Sequence, residues 1–164
     1  MIQDLFIIGA TGKVGRTLVS QLIEKGDTNP KTHANPTRIV GLASSKDFVF
    51  SANGLSAKAI QHFPQKTYKG ASKYEALDEL LEVALDGYSG DGNTLVFVDV
   101  TPLNEPMTQF HLRVIQQTSY GIVTANKNPI ALSDYDVFKV LTKDPRRYGY
   151  RCSVMAGAEA VNKM

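Results

Sequence analysis

Cysteine is almost missing from this sequence: Cys152 stands alone, so no disulfide can close within the chain. That suits a reducing compartment. Net charge is also scarce, +2 over 164 residues. So small an excess gives no argument for nucleic acid or a membrane as the main partner. No apolar run approaches the roughly 18 residues that a bilayer crossing needs. The opening MIQDLFIIGATG lacks the basic start and longer apolar stretch of a signal peptide. His33, His62 and His111 are dispersed, and no metal site is expected. Internal repeats and low-complexity tracts are absent as well. With 43% hydrophobic and 21% charged residues, the composition is that of a globular domain. A soluble, cytoplasmic protein is the expectation.

What is present is an alternation of apolar runs and helical patterns. Leu5–Ile8 is a short continuous apolar run stopped by Gly9, as for a strand buried on both faces. From Gly12 to Lys25, Val14, Leu18, Leu22 and Ile23 recur at helical spacing, with Gly26 as the stop. DTNPKTHANPT reads as a loop, and Arg38–Ala43 as a second strand. Residues 44–70 hold no sustained period and are expected to be mostly irregular. Lys73–Asp86 is a helix candidate, and Thr94–Asp99 a further buried strand. Asn104 is placed to cap the next helix, with Glu105 and Pro106 in its first turn. Gly121–Ala125 is the next strand. Ser133 and Asp136 resemble a capping box for a helix over 134–142, and Tyr148–Met155 is a last strand.

Strands separated by helices pair in parallel, because a parallel neighbour needs a crossover. The fold expected is α/β, a doubly wound and mainly parallel sheet in a single domain. Ligands of such sheets bind beyond the carboxyl ends of the strands.

Gly9, Gly12 and Gly15 lie between the first strand and the first helix. Glycine at the strand exit permits a tight turn, and a second lets backbone approach a pyrophosphate. A third lets the helix pack closely, with its N-terminal N–H groups facing the ligand. The spacing is GxxGxxG, and Thr11, Lys13 and Val14 join the glycines as candidate cofactor-binding residues. Arg16-Thr17 stands where a phosphate-hydrolysing loop needs Lys-Ser/Thr, which argues against nucleotide hydrolysis.

The second strand ends in Ala43-Ser44-Ser45-Lys46, with Asp47 one step later. An acidic residue at the strand end would bind ribose hydroxyls and repel a 2′-phosphate. Two hydroxyls and an ammonium suit a phosphate instead. NADP is therefore favoured, with NAD the second choice. Lys127, in VTANKNPIA, follows a strand end and is either a solvated loop charge or a cation aimed at a ligand. Asp99 either anchors a loop or touches the cofactor. Cys152 is expected as a small buried hydrophobe, His111 on a helix surface, and Arg146 and Arg147 as solvated turn residues.

VFVDVTP at 96–102, GIVTANKNPIA at 121–131 and YRCSVMAGAEAV at 150–161 follow one another in that order. With the glycine turn and RIVGLASSK at 38–46, they resemble the Rossmann-like NAD(P)-binding domain of homoserine dehydrogenase over nearly the whole chain. That family reduces aspartate β-semialdehyde to homoserine with NAD(P)H, in threonine and methionine biosynthesis. The resemblance implies that Thr101 lies beside the nicotinamide. It implies further that Asn126 and Lys127 stand at the junction of cofactor and substrate, Lys127 as the catalytic cation, and that Gly157 lies in the turn toward a catalytic domain.

The family more often has GxGxxG at the first turn and V-G-A-G-[LIM]-P at the last, where this chain has Met155 and Glu159 in place of the first glycine and the proline. The expected layout is a cofactor domain over 1–157 and, over 158–164, the start of a connection to a catalytic domain not included here. The chain alone is then expected to be inactive. A small-molecule substrate, aspartate β-semialdehyde or homoserine, is implied, and self-association into a homo-oligomer is left open. Two alternatives stand beside this reading. One is another GxxGxxG reductase; a semialdehyde dehydrogenase would need a nucleophilic cysteine, for which Cys152 has no setting. The other is a non-catalytic NADP-binding sensor or docking module.

Overall fold

The computed structural model describes residues 2–89 and 94–153. In chain order the elements are β1 (Gln3–Ile8), α1 (Lys13–Glu24), β2 (Thr37–Ala43), β3 (Asp47–Phe50) and α2 (Ala57–His62). Then come β4 (Ser72–Lys73), α3 (Leu77–Gly87), β5 (Thr94–Asp99), α4 (Glu105–Gln117) and β6 (Gly121–Thr124). The series closes with α5 (Asn128–Ala131), α6 (Tyr135–Thr142), β7 (Tyr148–Gly149) and a 3-10 turn at Arg151–Ser153. Among the described residues, no helix is long and apolar enough to cross a membrane.

The strands form one sheet in the order β4-β3-β2-β1-β5-β6-β7. β1 sits at its centre, parallel to both β2 and β5, and β6 and β7 continue the parallel half. β3 and β4 turn back as antiparallel strands on the far side of β2. The mainly parallel α/β sheet is therefore as expected, with an antiparallel edge.

Alternation along β1 divides the core. Phe6 and Ile8 pack with Leu80, Leu81, Phe97 and Phe110 under α3 and α4. Ile7 packs with Val19, Leu42 and Phe63 under α1 and α2. Phe97 meets Phe110 edge-on at 5.1 Å between centroids, the arrangement that ring quadrupoles favour.

Several boundaries differ from the sequence expectation. Residues 44–70 are mostly irregular, as expected, but they also hold β3 and α2. A four-residue strand and a six-residue helix are too short to display a period. Ser44 makes the hairpin, its hydroxyl oxygen accepting from the amides of Lys46 and Asp47. The helix expected from Lys73 begins at Leu77, because Ser72–Lys73 pairs with β3 and Glu79 closes the first turn by accepting from the Glu75 and Ala76 amides. In α1, Val14 and Ile23 are half-exposed, and the buried positions are Gly15 and Val19.

Asn104 occupies the cap position of α4, yet its side chain accepts from Asn128 Nδ2 rather than from the helix. No capping box forms at Ser133, whose hydroxyl donates to the Pro129 carbonyl. The last strand is shorter than expected, and residues 154 and 155 lie outside the described part. So do 156–164, with Gly157 and the expected domain boundary. Cys152 is exposed in the 3-10 turn, not buried on a strand.

Arg147 is not a solvated turn residue. Its guanidinium donates to the carbonyls of Ile115, Thr118 and Tyr120 and so closes the orphan end of α4. Arg146 is exposed and pairs with Asp144, as a surface charge does. His111 is fully buried, not on the helix surface.

Candidate functional site

The site grows from the exit of β1. Gly9 adopts φ +92°, a left-handed conformation that L side chains rarely take. Its amide and that of Ala10 both donate to the Ala43 carbonyl at 2.9 Å, which ties the turn to the end of β2. A β-carbon on Gly9 would come within 3.1 Å of the Val100 carbonyl and the Thr101 methyl. The ends of β1 and β5 thus close on each other at the point where the strand order reverses. In open parallel sheets that is where ligands bind.

Gly12 caps α1 without a side-chain hydrogen bond, so the first-turn N–H groups of the helix stay open to a ligand. Gly15 serves contact rather than turning: a β-carbon there would lie 2.3 Å from the Gly9 carbonyl oxygen. The helix can approach the turn this closely only without a side chain. Together these features fit the backbone cradle that a pyrophosphate requires.

A crevice of about 640 Å³ opens over this turn, lined by Gly9, Thr11, Gly12, Ser44, Ser45 and Thr101 among others. Its far wall is Tyr74 to Asp78 at the start of α3, with Leu103 and Pro106 at the start of α4. The Tyr74 hydroxyl donates to the Ser44 carbonyl at 2.6 Å. Burial raises the Tyr74 phenol, with Asp47 and Glu79 adding to the effect, so it remains a donor.

A second hollow, about 430 Å³, adjoins the first and shares Thr11, Ser44 and Ser45 with it. It carries Lys46, Lys66, Lys69 and Lys73 against one carboxylate, Asp47. Lys73 is committed to Asp47 at 2.6 Å. The remaining cations lie next to the β2–β3 turn. Sequence reasoning singled out Lys46 alone. Lysines at 66, 69 and 73 within KTYKGASK were the available signal, obscured because that stretch shows no period.

Other expected residues fall differently. Lys13 and Val14 form the first turn of α1 but line neither hollow. Asn126 is buried, and its amide braces the loops by donating to the Leu103 carbonyl at 2.8 Å while accepting from the Asn128 amide. Lys127 is exposed at the start of α5, on the same carboxyl edge of the sheet as Gly9 and Thr101 but outside both hollows.

Asp99 resolves as a loop anchor. Its Oδ1 accepts from the Thr101 amide at 2.8 Å and hydroxyl at 2.7 Å, and its Oδ2 accepts from the Thr124 hydroxyl. Among the described residues, no group of three metal-ligating side chains occurs.

No family model and no curated protein matches the sequence. Solved structures do match the fold. A hyperthermophilic archaeal homoserine dehydrogenase in complex with NADPH superposes with TM-score 0.70 at 18% identity, covering 99% of this chain and 47% of that one. The homoserine dehydrogenase of Thermoplasma acidophilum gives TM-score 0.68 at 14% identity, covering 93% and 44%. A Candida auris protein of unknown function gives 0.70 at 21%, covering 99% and 42%.

The fold is Rossmann-like. At these identities the likeness establishes the fold alone. The chain spans less than half the length of the solved chains it matches. In a Rossmann-like sheet the β1–α1 turn and the end of β2 are where a dinucleotide's phosphates and adenosine ribose lie. Those are the places occupied here by the glycine turn and the lysine-lined hollow.

Proposed function

We propose that this chain is the NADP-binding domain of a homoserine-dehydrogenase-like oxidoreductase, one that reduces aspartate β-semialdehyde to homoserine. The observation that carries the cofactor reading is the pair of adjoining hollows, one over an open helix N-terminus and one lined by lysines. The Thr11 amide and the open first-turn N–H groups of α1 would hold the pyrophosphate, with Gly9 and Gly12 letting the backbone come close to it. Ser44, Ser45 and Lys46, with Lys66 and Lys69 beside them, would hold a 2′-phosphate, which favours NADP over NAD. Thr101 lines the other end of the crevice, where the nicotinamide would lie.

The bound nicotinamide supplies the hydride. The chain's own contribution beyond binding is a cation: Lys127, exposed on the carboxyl edge, would stabilise the alkoxide that develops as the aldehyde is reduced. The substrate assignment follows the motif resemblance together with the homoserine dehydrogenases among the structural matches. A second reading, a non-catalytic NADP-binding module, is supported by the same hollows.

Calorimetric titration with NADPH and NADH tests the reading. Tighter binding of NADPH supports it, and equal affinities overturn the 2′-phosphate assignment. Homoserine-dependent NADP reduction by this chain joined to a catalytic domain from a related enzyme separates the oxidoreductase from the sensor.

A further inference from the structure

Behind Thr101 lies a polar cluster that the proposed cofactor contacts leave unexplained. Asp99, His111, Thr124 and Tyr148 are all buried, and they come from β5, α4, β6 and β7. His111 Nδ1 is 2.8 Å from the Tyr148 hydroxyl. Its Nε2 lies 3.3 Å from Asp99 Oδ2, within ion-pair distance but without an aligned hydrogen bond to any group. Asp99 in turn holds the Thr101 amide and hydroxyl. Thr101 Oγ1 then accepts from the Leu103 amide and, at 3.5 Å, from Asn126 Nδ2. The line runs from the last described strand to the mouth of the crevice.

One arrangement of protons satisfies these donors and acceptors. Burial raises the Tyr148 phenol, and Asp99 adds to the effect, so the hydroxyl keeps its proton. In that arrangement it donates to His111 Nδ1. A neutral ring that accepts at Nδ1 carries its proton at Nε2. That proton faces Asp99 Oδ2. On the other side, Thr101 gives its hydroxyl proton to Asp99 and offers lone pairs to Leu103 and Asn126. The links from Asp99 to Thr101 and Thr124 are directional hydrogen bonds, and the His111 ring stands within ion-pair distance of the same carboxylate.

We propose that Tyr148, His111 and Asp99 are positioning residues for the nicotinamide end of the crevice, with His111 held as the Nε2–H tautomer. Through Asp99 they fix Thr101, and through Thr101 the loop of Asn126, while the phosphate end rests on β1, β2 and α1. The inference rests on the cofactor reading above, and its tests separate the two.

Long-range imidazole nitrogen–proton correlation on the nitrogen-15-labelled, unliganded chain reads the tautomer without cofactor. A pyrrole-type Nε2 and a pyridine-type Nδ1 are expected, with Nδ1 moving when Tyr148→Phe removes its donor. A protonated Nδ1 overturns the proposal. Binding reads the position. Tyr148→Phe and His111→Leu should weaken NADPH by about threefold to tenfold, yet leave adenosine 2′,5′-bisphosphate, which has no nicotinamide, unchanged. His111→Gln, which can still accept from Tyr148 and donate to Asp99, should restore NADPH affinity even if His111→Leu folds poorly. Equal loss on both ligands, or no rescue by glutamine, refutes the positioning role. A native chain that binds neither ligand refutes the cofactor reading and the positioning role with it, whatever tautomer the spectrum shows.

Discussion

A β-carbon on Gly15 would stand 2.3 Å from the carbonyl oxygen of Gly9, and 2.7 Å from the α-carbon of Ala10. Helix α1 therefore leans on the backbone of the turn that precedes it, with no space for even a methyl group. The opposing atoms are backbone, which cannot swing aside as a flexible side chain would.

Gly15→Ala is thus expected to push α1 off the turn and destabilise the domain by about 1–3 kcal/mol, the usual range for overpacking. For a chain of this size that lowers the melting temperature by roughly 2–4 °C per kcal/mol. Gly12→Ala, whose β-carbon would meet only the Gly9 carbonyl oxygen at 3.3 Å, should cost less. Thermal denaturation of both variants checks the order, and reversal would contradict the contact.

The lysine-lined hollow predicts the cofactor preference. NADPH should bind more tightly than NADH, and Lys46→Asp should erase or invert the difference. A charge-assisted contact is worth about 1.5–3 kcal/mol, or roughly tenfold to a hundredfold in affinity. Lys66→Ala and Lys69→Ala should reduce NADPH affinity by smaller factors and leave NADH unaffected. Lys73→Ala should do least, because its ammonium is already paired with Asp47. Calorimetry with both cofactors reads all four variants.

Two adjacent arginines should behave oppositely. Arg147 donates to several carbonyls at the end of α4 and before β6, so Arg147→Ala leaves partly buried acceptors unpaired. A loss of about 1–3 kcal/mol is expected. Arg146→Ala removes an exposed pair with Asp144 and should leave stability nearly unchanged. Urea unfolding of the two variants makes the comparison.

Turnover needs more than a cofactor and a cation. Hydride transfer requires the semialdehyde held in near-attack geometry, and Lys127 is exposed at the carboxyl edge of the sheet. The 164-residue chain is expected to bind NADPH while giving no homoserine-dependent NADP reduction above background. Joined to a catalytic domain from a related enzyme it should gain activity, and Lys127→Ala there should lower turnover more than cofactor affinity. Steady-state kinetics beside binding measurements test this, and strong turnover by the chain alone would overturn it.

Local sequence patterns were enough for the parallel half of the sheet and the place of the glycine turn. Continuous apolar runs such as Leu5–Ile8 and Leu95–Val98 announce buried strands through local composition. A glycine at a strand exit announces a turn because the conformation is a property of one residue, borne out by φ +92° at Gly9.

The rest depended on contacts between distant segments of the folded chain. His111 reads as a polar residue on an amphipathic helix, and the group that meets its ring once it is buried is the Tyr148 hydroxyl, 37 positions along the chain. Arg147 looks like a turn charge until the carbonyls of α4 arrive beside it. Lys66 and Lys69 join Lys46 because α2 and β4 fold back onto the β2–β3 turn, and neither element is long enough to show a period. Local propensity is written in neighbours along the chain. The partner that satisfies a buried polar group, and the company a surface cation keeps, are set by contacts between segments far apart in sequence.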